Sequence, residues 1–203
     1  MANPYVPSVS RNPVKLAWSL LRSDNPAARS ALFMAAAGVV CWPIDRLLAP
    51  FERRRLQRAA PPERPQFIVC GAPRSGTTLV AQFLINTLDV AYLNNLTSLF
   101  PHAPLTVNRW WGQGSLRAGG SYRAFYGKSR GLAGVNDALY VWDRWLGSDR
   151  RAVPEALEPG AEAEMPAFFG ELTRLYGKPV VNKVNRLNTC AGLVAPLLPN
   201  AVF

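Results

Sequence analysis

The sequence predicts an α/β fold in which a parallel sheet is flanked by helices. Residues 67–70 form a short apolar run typical of a buried strand, and a glycine-bounded turn follows at residues 71–76. Apolar residues then recur at helical spacing over residues 77–88. A second apolar strand is predicted just before Lys183. Strands separated by helical segments are typical of a parallel sheet.

Composition favours one globular domain with a short appendage, because the 203-residue chain is 49% hydrophobic and only 18% charged. Three cysteines without paired spacing and a single histidine argue against a disulfide scaffold and a zinc cluster, so we expect no metal and a reducing compartment. Of the net charge of +10, +6 lies in residues 1–65. No arginine-rich run interleaved with aromatics follows, so we expect no nucleic-acid partner.

Residues 1–60 are predicted to form an N-terminal helical segment, joined by a stiff proline-rich linker at 61–65 to a domain at 66–203. The pair Asn25-Pro26 is typical of a helix start. The uncharged run at residues 30–44 is too short to cross a bilayer, which takes roughly 20 apolar residues.

Two interpretations of this segment remain open. In one, it is a helix packed on the domain, and deleting residues 1–60 should unfold the protein. In the other, it is a monotopic anchor, peripheral on the cytoplasmic membrane face, and the domain should survive the deletion. An anchor would place Leu32, Phe33, Met34, Val39, Val40 and Trp42 in the interface, with Arg53, Arg54, Arg55 and Arg58 on an anionic membrane surface.

The turn after the first strand matches the phosphate-loop template G-x-x-x-x-G-K-[ST] at Gly71, Gly76 and Thr78, but Thr77 stands in place of the lysine. A nucleotide hydrolase needs that lysine on the β- and γ-phosphates, so ATP hydrolysis is disfavoured. Backbone N–H groups, the hydroxyls of the loop and the Arg74 guanidinium remain, and they suit a smaller anion such as a phosphosulfate.

The run Pro-Arg-Ser-Gly-Thr-Thr-Leu at residues 73–79 resembles the 5′-phosphosulfate loop of the sulfotransferases that use 3′-phosphoadenosine-5′-phosphosulfate (PAPS). The resemblance implies a three-layer P-loop-like fold, PAPS as co-substrate, and a catalytic role for the Arg74 charge. It also implies cofactor binding by the following loop residues: Gly71, Pro73, Arg74, Ser75, Gly76, Thr77 and Thr78.

Residues 178–187 resemble the strand of that family with a lysine at its C-terminal end, followed by a helix, expected here from Arg186 to Leu198. The resemblance gives Lys183 a catalytic role, with a solvated strand-end lysine as the other interpretation. If the two strands are neighbours, Cys70 and Lys183 flank one crevice. Because a core strand has barely begun at Phe203, we expect a truncated sequence with an incomplete sheet. The resemblance implies that the 3′-phosphate site follows this strand, so the 203 residues are expected to be inactive by themselves.

The general base is where the sequence departs from the family. A glutamate is expected roughly at residues 92–97, and no carboxylate stands there. The candidate bases are His102, Asp137 and Asp143. Aromatic and basic residues between 100 and 151 suggest an acceptor site. For Tyr140, Trp142 and Trp145 the preferred interpretation is the inner face of a helix at 136–147.

The sequence therefore predicts a sulfotransferase that moves a sulfuryl group from PAPS to a hydroxyl or amine of a carbohydrate, lipid or small molecule. Two alternatives stay open. One is a P-loop nucleotide-binding protein of the kinase kind, and the other is a non-catalytic, membrane-associated binding module that kept the loop.

Overall fold

The computed structural model describes residue 18, residues 21–22, 26–110, 122, 124–125, 128–129, 131–150 and 152–203. Its helices are α1 (Pro26–Leu56), α2 (Thr77–Thr87), α3 (Asn95–Leu99), α4 (Pro104–Trp110), α5 (Leu139–Leu146), α6 (Ala161–Tyr176) and α7 (Ala191–Val194). Its strands are β1 (Gln66–Val69), β2 (Ala91–Tyr92), β3 (Ala124–Phe125), β4 (Lys128–Ser129), β5 (Val180–Lys183) and β6 (Ala201–Val202). Much of the predicted acceptor region, residues 111–121 above all, lies outside the described residues, as does Asn25.

Four strands of the described chain form an all-parallel sheet in the order β2-β5-β1-β6. In the centre, Gln66 pairs with Val180 and Val69 with Lys183, so β1 and β5 end at the same level. The chain leaves β1 towards β2 at one edge and leaves β5 towards β6 at the other. Ligands of open α/β sheets bind at the carboxyl ends of strands where the chain diverges in this way. The predicted parallel sheet is confirmed.

Helices cover both faces of the sheet, because successive side chains of β1 point to opposite faces and both sets include apolar residues. Ile68 belongs to the main core, which α6 fills with Phe168 and Phe169. Its neighbour Val69 points to the opposite face and packs against a smaller cluster that includes Ala81 of α2. The strand–loop–helix of the sequence therefore forms, with β1 and α2 each within one residue of the expected bounds.

The main core is built on an aromatic cluster between α5 and α6. Trp142 and Trp145 are fully buried and meet edge to face, with ring centroids 5.1 Å apart. Trp145 also stacks edge to face on Phe168 at 5.3 Å and donates its indole N–H to Glu164. The prediction that Trp142 and Trp145 face inward is confirmed, whereas Tyr140 is 58% exposed because it lies on the outer side of the helix turn.

Helix α1 starts at Pro26, as predicted, but does not stop at the first charged residues. The helix continues through Asp45, whose side chain is fully buried. The Asp45 carboxylate accepts hydrogen bonds from the backbone N–H groups of His102 and Ala103. Two turns later Glu52 accepts the N–H groups of Leu105 and Thr106. The two carboxylates of α1 thus cap the N-terminus of α4.

The segment after α1 runs along α6. Pro62 is buried, and the Ala60 carbonyl lies so close to Gly170 that a Cβ at position 170 would overlap it. Only glycine allows the backbone to pass at this distance. Residues 57–65 are therefore packed on the domain over part of their length.

The prediction of one continuous helix from Arg186 to Leu198 is wrong. The structure has a 3₁₀ turn at Asn185–Asn188, the short helix α7, and a second 3₁₀ turn at Ala195–Leu197. Gly192 lowers helix propensity, and Pro196 lacks the N–H that a continuous helix would use.

Candidate anion-binding crevice

The crevice lies where β1 and β5 end side by side. Val69 pairs with Lys183, and the backbone N–H of Val184 donates to the Val69 carbonyl at 2.9 Å. The loop that leaves β1 and the segment that leaves β5 therefore start next to each other. The prediction that Cys70 and Lys183 flank one crevice depended on β1 and β5 being neighbours, and they are.

The loop between β1 and α2 is shaped by two left-handed residues. Arg74 has φ 72° and Gly76 has φ 87°, and the N–H of Ser75 closes a turn on the Ala72 carbonyl at 3.2 Å. Alternating right- and left-handed residues turn successive N–H groups towards one point, which makes a concavity suited to anions. Gly76 then leads directly into α2, whose N-terminal N–H groups add positive potential.

Gly71 keeps this loop tight. A Cβ built there would meet the Ser75 hydroxyl oxygen and the Thr77 methyl group at 3.0 Å each. A side chain at the first glycine of the template is therefore disfavoured by close approach within the loop itself.

A crevice of about 400 Å³ opens beside the loop. It contains most of the predicted site residues together with several that were not predicted: Pro73, Arg74, Gly76, Thr77, Thr78, Leu79, Gln82, Tyr122, Asp137, Lys183 and Asn185. Two cationic side chains and one carboxylate among these residues leave a positive balance, which favours an anionic ligand. Gly71 and Ser75 shape the loop behind this lining.

Lys183 is buried, with 1% of its side chain exposed, and its ammonium forms an ion pair with Asp137. The sequence left a solvated lysine open as one interpretation, and that interpretation is wrong. A buried ammonium is stable only with a partner, so Asp137 is required where it is. The pair brings one candidate base, Asp137, into the crevice.

Thr77, which stands at the lysine position of the template, has its hydroxyl engaged within the protein. Its Oγ1 donates to Asn185 Oδ1 at 2.8 Å, which ties the start of α2 to the segment after β5. Thr78 is half-buried and Ser75 is exposed. Asn185 was not among the site residues predicted from the sequence. Its position two residues after the strand-end Lys183 is the feature that could have indicated it.

The other candidate bases lie elsewhere. His102 is at the contact of α1 and α4, where its Nδ1 lies 2.6 Å from Asp45 Oδ2. Asp143 accepts hydrogen bonds from Arg150 and Arg186. Neither His102 nor Asp143 is among the crevice residues that the structure describes.

Residues 94 and 95, where the resemblance led us to expect a glutamate, have a structural role. Asn94 caps α3 by accepting the Thr97 N–H at 3.0 Å. Asn95 donates to the carbonyls of Ser129 and Gly131 and accepts from Asn136. These amides hold the chain that leads to Asp137, so the carboxylate of the crevice arrives from residues 131–138 instead.

No group of three or more histidine, cysteine, aspartate or glutamate side chains suited to a metal ion occurs among the described residues. Comparison with known proteins gives no match, whether to protein-family models, to curated proteins or to solved structures. The functional argument therefore rests on the geometry of the crevice.

Proposed function

We propose that this chain carries the 5′-phosphosulfate site of a PAPS-dependent sulfotransferase on a three-layer, P-loop-like sheet. The observation that carries the proposal is the position of Lys183. A buried lysine from β5 reaches the same crevice as a phosphate-type loop that lacks its own lysine. The loop resemblance at residues 73–79 supports the same conclusion.

The residues present fit such a group. The left-handed conformations at Arg74 and Gly76 and the tight packing at Gly71 form a small cradle of N–H groups. A phosphosulfate carries less charge than a triphosphate, so backbone dipoles, one guanidinium and one ammonium suffice to balance it. The Arg74 guanidinium is suited to clamp two oxygens at once.

In the proposed reaction the bond between sulfur and the bridging oxygen of the 5′-phosphate breaks while a bond from sulfur to the acceptor oxygen or nitrogen forms. The leaving phosphate gains negative charge, which Arg74 and Lys183 stabilise. The acceptor loses a proton, and Asp137 is the carboxylate of the described crevice that can receive it. The products are the sulfated acceptor, 3′-phosphoadenosine-5′-phosphate (PAP) and a proton.

The test is the ligand-dependent stability of the full-length protein. Thermal unfolding is measured with PAP, with PAPS, and with ATP plus magnesium. PAP at a hundredfold excess over its dissociation constant should stabilise the fold by about 2.7 kcal/mol, and ATP should do much less. Arg74→Ala should abolish the PAPS effect, while Arg53→Ala, an exposed arginine on α1, should retain it.

Transfer of radiolabelled sulfate to a panel of hydroxyl and amine acceptors is the second measurement. Equal stabilisation by ATP and PAP would overturn the proposal in favour of a nucleotide-binding protein of the kinase kind. In the full-length protein, binding of PAPS without transfer to any acceptor would indicate a non-catalytic binding module.

A further inference from the structure

Helix α1 has two faces of different character. Its inner face packs on the domain at helical spacing through Met34, Ala37, Cys41, Asp45, Leu48, Glu52 and Leu56. The apolar members of this face contact the cluster of Leu96, Leu99, Phe100 and Val107, except for Leu56, which joins the main core. Met34, which the anchor interpretation assigned to a membrane interface, belongs to this inner face.

The outer face of α1 is apolar and open. Seven large apolar side chains are each more than half exposed: Phe33, Val39, Val40, Trp42, Ile44, Leu47 and Phe51. From Phe33 to Phe51 this face is about 27 Å long at 1.5 Å per residue. Exposed apolar side chains clustered on one helix mark an interaction site, because soluble proteins rarely expose large apolar patches.

The apolar stripe runs directly into positive charge. The helical spacing of residues 44, 47 and 51 continues to Arg54, and Arg58 follows in the turn after α1. A cleft of about 440 Å³ opens there and is lined by Phe51, Arg54, Arg55, Arg58, Arg109, Glu171 and Arg174. Glu171 balances Arg55 and Arg174, and among the described residues no carboxylate pairs with Arg54, Arg58 or Arg109.

The helix is long and apolar enough over Leu32–Leu56 to cross a membrane by length and composition alone. Crossing would pull Asp45 and Glu52 away from α4 and leave the N–H groups at residues 102–106 without these acceptors. A span beginning at Leu32 would also bring the charges of Asp45 and Arg46 towards the hydrocarbon, where a charge costs up to about 2.5–3.5 kcal/mol near the centre. The contacts of Asp45 and Glu52 with α4 therefore favour a helix α1 that lies along the membrane surface over one that crosses it.

We propose that the outer face of α1 docks the protein on an anionic phospholipid membrane. The apolar stripe enters the acyl boundary, and the arginine cleft receives lipid phosphates at one end of the stripe. Trp42, with the Arg46 guanidinium 5.6 Å from its ring centroid, is suited to the headgroup level. The inference stands apart from the proposed function, because it uses no residue of the crevice.

The experiment is co-sedimentation of the whole chain with vesicles of phosphatidylcholine alone or with 30% phosphatidylglycerol. Phe51→Ser should weaken binding to the anionic vesicles at least tenfold. Phe83→Ser is the matched control, because Phe83 also lies on a helix and is 55% exposed, against 59% for Phe51. This control should bind like the parent protein, and circular dichroism should show both variants folded.

A second pair of variants tests the charge. Arg54→Gln should weaken binding severalfold at 0.1 M salt and have little effect at 1 M salt, where the Debye length falls to about 3 Å. Lys178→Gln, which removes an exposed charge on the loop before β5, should bind normally.

Each contrary outcome overturns the proposal. Equal loss of binding in the Phe51 and Phe83 variants, or no sedimentation with anionic vesicles, would show that the face does not bind lipid. Resistance to extraction by alkaline carbonate would show a spanning helix. A lipid-free dimer that Phe51→Ser converts to a monomer would assign the face to a second copy of the chain.

Discussion

Arg74 holds its backbone in the left-handed region at φ 72°, where a residue with a Cβ is disfavoured by about 1–2 kcal/mol relative to glycine. Arg74 nevertheless lines the crevice and directs its neighbouring N–H groups. Strain at a ligand loop is a recurring feature of functional sites, because the surrounding structure can hold it there. The sequence shows the arginine but not the strain.

Two substitutions at this position separate backbone strain from side-chain function. Arg74→Gly and Arg74→Ala both remove the guanidinium, so both should lose PAPS-dependent stabilisation. Because only alanine keeps the Cβ, the glycine variant should be more stable by about 1 kcal/mol. Urea denaturation of the two variants measures the difference. Equal stability would mean that the left-handed conformation is not populated in solution.

The ion pair of Lys183 and Asp137 gives an asymmetric prediction, because 1% of the lysine side chain but 17% of the aspartate side chain is exposed. Asp137→Asn leaves a buried ammonium without its charge partner and should cost about 3–5 kcal/mol. Lys183→Met leaves a carboxylate that water can reach and should cost less. The double variant should recover part of the loss, as a double-mutant cycle in urea would show. Equal losses in the two single variants would contradict the assigned burial.

At the scale of elements, α1 is tied to α6 by Glu171, whose side chain is 3% exposed and lies 2.6 Å from both Arg55 and Arg174. Burial by itself would raise the pKa of Glu171, but hydrogen bonds from the two arginines outweigh it and hold the pKa below the ordinary value of 4.5. Burial raises the pKa of Glu52 in spite of its hydrogen bonds to α4. Glu171 at the contact of α1 with α6 and Glu52 at the contact of α1 with α4 therefore change the free energy of unfolding with pH in opposite directions.

A lowered pKa in the folded state means that Glu171 stabilises the fold above about pH 4.5 and loses that contribution as the pH falls through the folded value. Glu171→Gln should therefore cost about 2 kcal/mol at pH 7. The difference between parent and variant should shrink steadily below pH 4.5. Chemical denaturation at a series of pH values checks the trend, and a difference that grows in acid would contradict it.

Local pattern predicted the elements whose residues are neighbours in sequence. β1, α2 and β5 follow from short apolar runs and helical spacing, and β1 lies beside β5 as the crevice required. The pattern failed between Arg186 and Leu198, where Gly192 and Pro196 outweigh apolar spacing. It also gave no sign that His102 would meet Asp45, because 57 residues separate them and only the tertiary fold joins α1 to α4.

For the whole molecule, the site also divides into parts made by one continuous segment and parts that depend on the tertiary fold. The loop of residues 71–78 could be predicted because one continuous segment makes it. The partners of Thr77 and Lys183 could not, since Asn185 is distant along the chain and the assignment of Asp137 depends on how residues 131–138 pack against α3. The spacing of residues along the sequence predicts which side chains share a face of one helix or strand. It does not predict which carboxylate will pair with a buried lysine.

Helix α1 is part of the folded domain, and this gives a prediction for the whole chain. Deleting residues 1–60 would remove Leu56 from the main core, uncover the Leu96 to Val107 cluster and leave Glu171 without Arg55. It would also remove the carboxylate acceptors at the start of α4, at about 1–3 kcal/mol for each buried group left unsatisfied. Since domains are stable by only about 5–15 kcal/mol, the shortened protein should lack a cooperative thermal transition.

The matched control for this prediction is a deletion of residues 1–25, which keeps α1 and every contact named above. It should melt within a few degrees of the parent protein when both are followed by far-ultraviolet circular dichroism. If the protein without residues 1–60 melts cooperatively near the parent temperature, α1 is an appendage. In that case its inner contacts with α4 and α6 contribute little to the free energy of unfolding, and membrane docking would be the main role left for the helix.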